Sequence, residues 1–265
     1  MATIPSLKQT LRSRRVTIGS WVTLAHPAIA EIMAGAGFDW LAVDLEHSVL
    51  TIRDAEDLIR VIALCGVAPL ARLSHNDPVE IKRVMDAGAH GVIVPMVNSR
   101  EECEQAVASV YYPTGGRRGV GLARAQGYGM SFEAYKEWLQ REAVVIVQIE
   151  HIDAVDNLEK ILSVEGVDGY MIGPYDLSAS LGVPGQFDHP QMLSALKRIH
   201  EVADRFRVSG GIHVIQPDPV EVKRRITEGF TFLAYSFDML MLGTTCRQGI
   251  RAVKNVPYPA GGDSA

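Results

Sequence analysis

Short runs of apolar, mostly β-branched residues recur along the chain and alternate with stretches of helical periodicity. The runs predict eight strands, at 17–22, 40–46, 69–73, 91–97, 144–150, 169–174, 211–215 and 232–238. The stretch 51–65 shows the helical pattern, because one helix face collects its apolar residues Ile52, Ala55, Leu58, Ile59 and Ile62. Eight strands alternating with helices over about 250 residues predict an α/β fold, a TIM (β/α)8 barrel.

Three segments repeat one pattern of helix followed by strand. They are HPAIAEIMAGAGFDWLAV, DPVEIKRVMDAGAHGVIV and DPVEVKRRITEGFTFLAY, with the pairs Pro27 and Gly37, Pro78 and Gly88, and Pro219 and Gly229. Proline favours the first position of a helix, and glycine favours the position just past its end. Such units are typical of a parallel sheet. No GxGxxG motif follows the first strand, which disfavours a dinucleotide-binding sheet.

Length and composition favour a single globular domain. We expect one barrel over residues 1–256 and a flexible tail, PYPAGGDSA, over 257–265. A net charge of −5 without a basic face argues against a nucleic-acid partner. No apolar run approaches the length of a membrane span or signal peptide, so a cytoplasmic protein is expected. Cys65, Cys103 and Cys246 fall in helix-like segments, which suggests buried, reduced thiols.

Polar and ionisable side chains gather where the predicted strands end. They are Asp44, Glu46 and His47 after the second strand, Arg72 in the third, Gln148 and Glu150 in the fifth, and Asp176 after the sixth. In a TIM barrel these strand ends meet at one face, which carries the active site. Burying several charges costs several kcal/mol each unless they are paired or bind an ion. The convergence therefore predicts a functional site, although Asp176 could cap a helix and Arg72 could form a structural ion pair.

The residue types suggest metal-assisted carbonyl chemistry. Glu150 and Asp176, on neighbouring strands, would offer hard oxygen ligands to Mg²⁺ or a similar divalent cation. Arg72 provides a planar fork for a carboxylate, and His47 could act as a general base held by Asp44. None of the predicted strands contains a lysine, so a Schiff-base aldolase is disfavoured.

Several motifs together resemble one known family. VDLEH, LARL, QIE, GPYDLSASLG and RGVGLARAQGYG resemble the HpcH/HpaI aldolases, which are metal-dependent class II pyruvate aldolases, and the similarity extends over roughly residues 17–254. The resemblance implies a TIM barrel of the phosphoenolpyruvate/pyruvate type. It also implies a homo-oligomer, a hexamer built as a trimer of dimers, with the C-terminal helix exchanged between subunits.

The resemblance further implies a reaction and a set of roles. A 4-hydroxy-2-oxoacid would be cleaved reversibly to pyruvate, or a close 2-oxoacid, and an aldehyde, through an enolate stabilised by Mg²⁺, Mn²⁺ or Co²⁺. The metal ligands would be Glu150 and Asp176, the catalytic residues His47, Asp44 and Arg72, and the substrate-binding residues Arg72, Gln148, Tyr175 and Asp176. Glu46 would have a supporting role. Tyr175 replaces a residue that is usually small in the family, and AYSFD at 234–238 replaces VGVD.

Two other functions stay open at this point. One is a carbon–carbon lyase acting on a CoA thioester, as in citrate-lyase-like barrels, and the other is a non-catalytic barrel that binds a metal and an oxoacid. The Gly- and Arg-rich stretch 111–131 is expected to close over the aldehyde or to contact a neighbouring subunit, and its Arg117, Arg118 and Arg124 could read an acidic substrate tail. His213 could line the mouth of the barrel, but we favour a core histidine, and we expect Trp21 and Trp40 to pack helices against strands.

Overall fold

A computed structural model describes residues 4–254, so the predicted tail 257–265 lies outside the described residues. Eight parallel strands form a closed barrel in sequence order. They are β1 (Thr17–Val22), β2 (Trp40–Asp44), β3 (Ala68–Arg72), β4 (Gly91–Val94), β5 (Val144–Ile149), β6 (Gly169–Ile172), β7 (Ser209–Val214) and β8 (Phe232–Phe237). The TIM barrel predicted from the sequence is confirmed, and each strand overlaps its predicted range, with ends that differ by up to three residues.

The helices alternate with the strands around the barrel. They are α1 (Leu7–Arg12), α2 (Pro27–Gly35), α3 (Ile52–Leu64), α4 (Pro78–Asp86), α5 (Arg100–Val110), α6 (Phe132–Glu142), α7 (Ile152–Asp156), α8 (Leu158–Leu162), α9 (Pro174–Ser180), α10 (Pro190–Phe206), α11 (Pro219–Thr227) and α12 (Asp238–Lys254). None of the helices between residues 4 and 254 has the length and apolar character that crossing a bilayer requires.

The repeated sequence pattern corresponds to α2, α4 and α11. Each of these helices begins at the proline of the pattern. The glycines that follow them, Gly37, Gly88 and Gly229, have φ angles of 95°, 101° and 97°. Residues with a Cβ rarely adopt this left-handed conformation, so glycine lets the chain turn directly from each helix towards the next strand.

The interior of the barrel is filled by aromatic side chains. The Trp40 and Phe232 rings stack at a centroid distance of 4.3 Å, and Trp21 packs edge-on to Trp40 at 6.1 Å. Gly19 on β1 has no Cβ and so leaves room for the Trp40 ring. The prediction that Trp21 and Trp40 pack helices against strands is therefore wrong, because both residues occupy inward-facing positions of their strands.

The stretch 111–131 lies on the side of the barrel where the strands begin. It follows α5, and its side chains bind the end of α4, where Arg118 pairs with Asp86 at 3.0 Å and Arg124 donates to the Ala87 carbonyl at 2.9 Å. Arg118 is buried and also donates to Tyr135. The expectations that this stretch closes over the aldehyde in its own chain, and that Arg118 reads the substrate, are wrong. A contact with a neighbouring subunit stays a prediction.

The cysteines differ from the expectation of three buried thiols. Cys103 is buried in α5, whereas Cys65 and Cys246 are exposed, and all three are free thiols. Cys65 is exposed because it lies at the C-terminal cap of α3, past the apolar face of that helix.

Candidate active site

One cavity at the carboxyl ends of the strands contains all seven residues that the sequence singles out as catalytic, substrate-binding or metal-binding. It has a volume of about 280 Å³ and is lined by Asp44, His47, Arg72, Gln148, Glu150, Tyr175 and Asp176, among others. The strand ends bring together residues that are more than 100 positions apart in the chain. The size suits a small organic molecule.

Asp44 and Arg72 form a two-pronged ion pair between the adjacent strands β2 and β3. Arg72 Nε and Nη2 donate to the two Asp44 carboxylate oxygens at 2.9 and 2.6 Å. Burial would raise the pKa of Asp44, but the hydrogen bonds and charge of Arg72 outweigh it, together with the backbone N–H groups of His47 and Glu46, and keep the pKa below its usual value. The carboxylate is thus held ionised, and it fixes the guanidinium in one orientation.

Arg72 keeps one nitrogen for other contacts. Its guanidinium lies over the Trp21 ring, 4.2 Å from the centroid, and Nη1 lies 3.4 Å from Glu46 Oε2. Nη1 donates no hydrogen bond to an acceptor within residues 4–254, so it can meet a substrate oxygen in the cavity. Stacking on Trp21 and pairing with Asp44 hold that donor in place before any substrate binds.

The neighbour of the His47 ring is Glu46 and not Asp44. His47 Nε2 lies 3.8 Å from Glu46 Oε2, and 65% of the His47 side chain is exposed. Both Asp44 carboxylate oxygens accept hydrogen bonds from Arg72. From His47, Asp44 accepts a hydrogen bond only from the backbone N–H, at 3.2 Å. The sequence-based pairing of the His47 imidazole with the Asp44 carboxylate is therefore wrong, and sequence spacing alone could not reveal that Arg72 takes this partner.

Three carboxylates, those of Glu46, Glu150 and Asp176, are close enough for their charges to interact, and the last two line the cavity. Burial and, to a smaller extent, the charges of Glu46 and Asp176 raise the pKa of Glu150 to about 7, against hydrogen bonds from the Met96 N–H and Gln148. The pKa of Glu46 is likewise raised to about 7, first by burial. Gly173, between β6 and α9, has no Cβ, which allows the chain to pass close to the Glu150 carboxylate.

These residues fit a divalent cation. Gln148 Oε1 and Glu46 Oε2 are buried oxygens without a hydrogen-bond donor in the described part of the chain. A cation beside Glu150 and Asp176 would relieve the repulsion between the carboxylates and use hard oxygen ligands. Residues 4–254 contain no group of three or more His, Cys, Asp or Glu side chains placed to hold a metal ion. A cation bound by Glu150 and Asp176 would have coordination positions left for substrate oxygens.

Several cavity residues were not assigned to the site from the sequence. Trp21 and Phe237 line it from β1 and β8, and His213 lines it from β7 instead of being sealed in the core. Burial, and then the charge of Arg72, lower the pKa of His213 to about 4. The signal that could have revealed these residues is their inward-facing position near the carboxyl ends of strands.

Comparisons with known proteins agree with this geometry. Residues 17–243 match the family model described as HpcH/HpaI aldolase/citrate lyase. The chain is 39% identical to the hydroxypyruvate/pyruvate aldolase of Sagittula stellata, over 89% of this chain and 93% of that one. It is also 39% identical to the pyruvate aldolase of Rhizobium etli, over 89% and 92% of the two chains.

A solved structure of a related protein has the same fold. The crystal structure of an HpcH/HpaI aldolase/citrate lyase family protein from Burkholderia cenocepacia J2315 superposes with a TM-score of 0.89. The two sequences are 32% identical, and the match covers 94% of this chain and 99% of the other.

Proposed function

The chain belongs to the HpcH/HpaI aldolase/citrate lyase family and is a class II aldolase, an aldehyde-lyase, and on that premise we propose its reaction and the roles of its residues. The reaction is the reversible cleavage of a 4-hydroxy-2-oxoacid to pyruvate, or a close 2-oxoacid, and an aldehyde. The observation that carries this proposal is the cavity in which a fixed guanidinium faces a group of carboxylates with raised pKa values.

As a class II aldolase the enzyme uses a divalent metal cation, and we assign its protein ligands as Glu150 and Asp176, with Gln148 beside them. Mg²⁺, Mn²⁺ and Co²⁺ are the candidate ions. When bound, the cation supplies Lewis-acid polarisation of the 2-oxoacid carbonyl. No lysine lines the cavity among the described residues. The buried Lys8 lies at the opposite end of the barrel and pairs with Asp168 at 3.1 Å, so this chain does not use a Schiff base.

Arg72 stabilises the charge that develops during cleavage. A base removes the proton of the C4 hydroxyl, the C3–C4 bond breaks, and its electron pair passes to the C2 carbonyl oxygen, giving an enolate and the aldehyde. Arg72 Nη1 donates to that oxygen, and protonation of C3 then gives the free 2-oxoacid. The donor is held in place by Asp44 and Trp21 before the charge appears, which is the arrangement that lowers a barrier most.

His47 is the proposed base, with Glu46 as the group that orients it. The ring lies at the cavity wall beside the Glu46 carboxylate, and its exposure lets it exchange protons with water. The backbone N–H groups of Tyr175 and Asp176, in the first turn of α9, lack a side-chain cap, and we propose that they receive the substrate carboxylate. Tyr175 itself stands at the rim, where it would contact the aldehyde portion.

The test is proton exchange of pyruvate in D₂O, because enolisation can be seen before the aldehyde is known. We expect loss of the pyruvate methyl signal in proton NMR with Mg²⁺, Mn²⁺ or Co²⁺, and no loss after chelation. Glu150→Gln should abolish the exchange, whereas the control Glu133→Gln, at an exposed position of α6, should retain it. Exchange at full rate in chelated protein would refute the proposal.

We also propose that the protein is a hexamer, a trimer of dimers, in which α12 packs against a neighbouring subunit. Within its own chain α12 buries only Asp238, whose carboxylate accepts the N–H groups of Thr23 and Leu24. Leu242, Ile250 and Val253 are each more than half exposed on this helix. Light scattering should give a hexameric mass, and a chain ending before α12 should give a smaller one. The cytoplasmic location stays a prediction.

A further inference from the structure

His213 has no role in the steps above, yet its half-buried side chain lines the cavity. Its ring packs edge-on against Trp21 and Phe237, at centroid distances of 5.7 and 6.4 Å. Both aromatic neighbours restrict rotation of the imidazole. Because burial lowers its pKa to about 4, the ring is neutral at physiological pH and can both donate and accept one hydrogen bond.

A β-bulge fixes which nitrogen of His213 carries the proton. In the pairing of β1 with β8, Gly19 lies opposite Ala234 and Trp21 opposite Phe237, so one residue of β1 faces two of β8. The extra residue is Ser236, whose φ angle of 51° is left-handed and uncommon for serine. Bulges near active sites redirect backbone groups, and here the Ser236 carbonyl lies 3.3 Å from His213 Nε2.

The contact with Ser236 determines the chemistry of the opposite nitrogen. A carbonyl oxygen only accepts hydrogen bonds, so Nε2 must carry the proton and Nδ1 must be the acceptor. Within residues 4–254 Nδ1 makes no hydrogen bond, and it is not one of the fully buried unpaired polar atoms. It therefore keeps some accessible surface, and the ring to which it belongs lines the cavity. Because Nδ1 carries no proton, it can only accept a hydrogen bond, and a hydroxyl group of the substrate can donate one.

The position of His213 relative to Arg72 indicates which part of the substrate carries this hydroxyl. The His213 ring centroid lies 5.7 Å from that of Trp21, and the Arg72 guanidinium lies over the same Trp21 ring, 4.2 Å from its centroid. Arg72 Nη1 is the proposed donor to the C2 oxygen, so a substrate group that reaches His213 is attached close to C2. C3 is the nearest carbon that can carry a hydroxyl, and it stays with the 2-oxoacid after cleavage.

We propose that His213 Nδ1 accepts a hydrogen bond from a hydroxyl on C3 of the 2-oxoacid, so that His213 determines the preference for 3-hydroxy-2-oxoacids, of which hydroxypyruvate is the simplest. This inference rests on the proposed function and deepens it. Ser236 is a positioning residue in this arrangement, because it acts through its carbonyl on the imidazole and does not touch the substrate.

The experiment compares kcat/KM for hydroxypyruvate and for pyruvate with one common aldehyde. His213→Phe keeps an aromatic ring but removes the acceptor, and it should lower the ratio of hydroxypyruvate to pyruvate about 3- to 10-fold, the effect of one hydrogen bond. His213→Asn places an amide oxygen near the Nδ1 position and should retain more of the preference. His90→Phe is the matched control, because His90 is also half-buried but packs on Trp138 outside the cavity.

The outcomes separate this inference from the proposed function. If wild-type protein exchanges pyruvate protons but His213→Phe leaves the ratio unchanged, the role of His213 is refuted and the aldolase assignment stands. If wild-type protein exchanges no protons with any of the three metals, the proposed function itself fails. Thermal melts check folding of each variant, and His213→Leu, which also lacks an acceptor, replaces His213→Phe if the larger ring prevents folding. Equal losses with Phe and Asn would also overturn the inference, since only cavity shape would then matter.

Discussion

Replacing Glu150 by glutamine should stabilise the metal-free protein at pH 8 while abolishing its response to a metal. The reason is the raised pKa of the carboxyl group, which burial and the neighbouring charges of Glu46 and Asp176 shift from 4.5 to about 7. Above pH 7 the Glu150 carboxyl group is ionised in the folded protein, although its buried surroundings favour the neutral form. The variant removes that charge at almost constant shape.

The magnitude follows from proton linkage. Between pH 4.5 and 7 the folded state binds more protons at Glu150 than the unfolded state, so stability falls as the pH rises through this window. The shift is worth about 3 kcal/mol at pH 8 and less than about 1 kcal/mol at pH 5. For a protein of this size about 3 kcal/mol corresponds to a rise in Tm of several degrees.

The surroundings of Glu150 can accept an amide. The Met96 N–H donates to Glu150 Oε1 at 2.7 Å, and the amide oxygen of the variant can accept the same bond. Gln148 Nε2 donates to Glu150 Oε2 at 2.8 Å, and Gln148 Oε1 is buried without a partner. Turning the Gln148 amide over would present that free oxygen to the new NH₂ group, so the hydrogen bond between the two side chains is retained, with its direction reversed.

The assay is thermal unfolding of chelated protein at pH 5 and pH 8, for wild type, Glu150→Gln and the exposed control Glu133→Gln. We expect Glu150→Gln to exceed wild type at pH 8 and to differ little at pH 5, with the control matching wild type at both. Added Mn²⁺ should then raise the Tm of wild type and control only. A Glu150→Gln protein that is less stable than wild type at pH 8 would show that burial does not strain the carboxylate, and the reasoning would be wrong.

Three other predictions concern the same cavity. The affinity for Mn²⁺, measured by calorimetry, should fall as the pH is lowered from 8 to 6, because protons compete for Glu150 and Glu46; an affinity independent of pH would contradict this. Arg72→Lys should slow pyruvate exchange in D₂O about 10²-fold or more, since lysine cannot both hold Asp44 with two bonds and donate to the substrate; a rate near wild type would exclude Arg72 as the enolate donor. His47→Ala should slow aldol cleavage by about 10²- to 10⁴-fold in stopped assays of aldehyde release; full activity at every pH would assign the base elsewhere.

The fold was readable from the sequence because its elements depend on local patterns. Apolar runs placed the eight strands, and the proline–glycine spacing placed α2, α4 and α11, since helix ends depend on backbone preferences of single residues. The barrel also dictates that strand ends converge. For this reason Glu150 and Asp176, from different strands, could be brought together without any structural information.

Pairings within the site could not be read in the same way. Asp44 lies three residues from His47 but binds Arg72 on the next strand, because adjacent parallel strands place these side chains in register. The sequence favours packing roles for His213 and Trp21, since nothing in an apolar run tells which inward residue fills the core and which lines the cavity. The bulge at Ser236 likewise has no sequence signal, because serine has no preference for a left-handed conformation.

The site contains one charge that is fully paired, that of Arg72, and a group of carboxylates that is not. This difference indicates what each group does. The Arg72 charge is paired with Asp44 and stacked on Trp21, so it is stable without any ligand and ready to receive an enolate oxygen. Glu150 is buried beside like charges, and no cationic side chain between residues 4 and 254 offsets the rise of its pKa to about 7. Glu46 has only the 3.4 Å contact with Arg72 Nη1, and its pKa is still raised to about 7. A structural network would pair the second group as completely as the first. The imbalance, which weakens the metal-free fold, is therefore best explained as the cost of a site that a divalent cation completes.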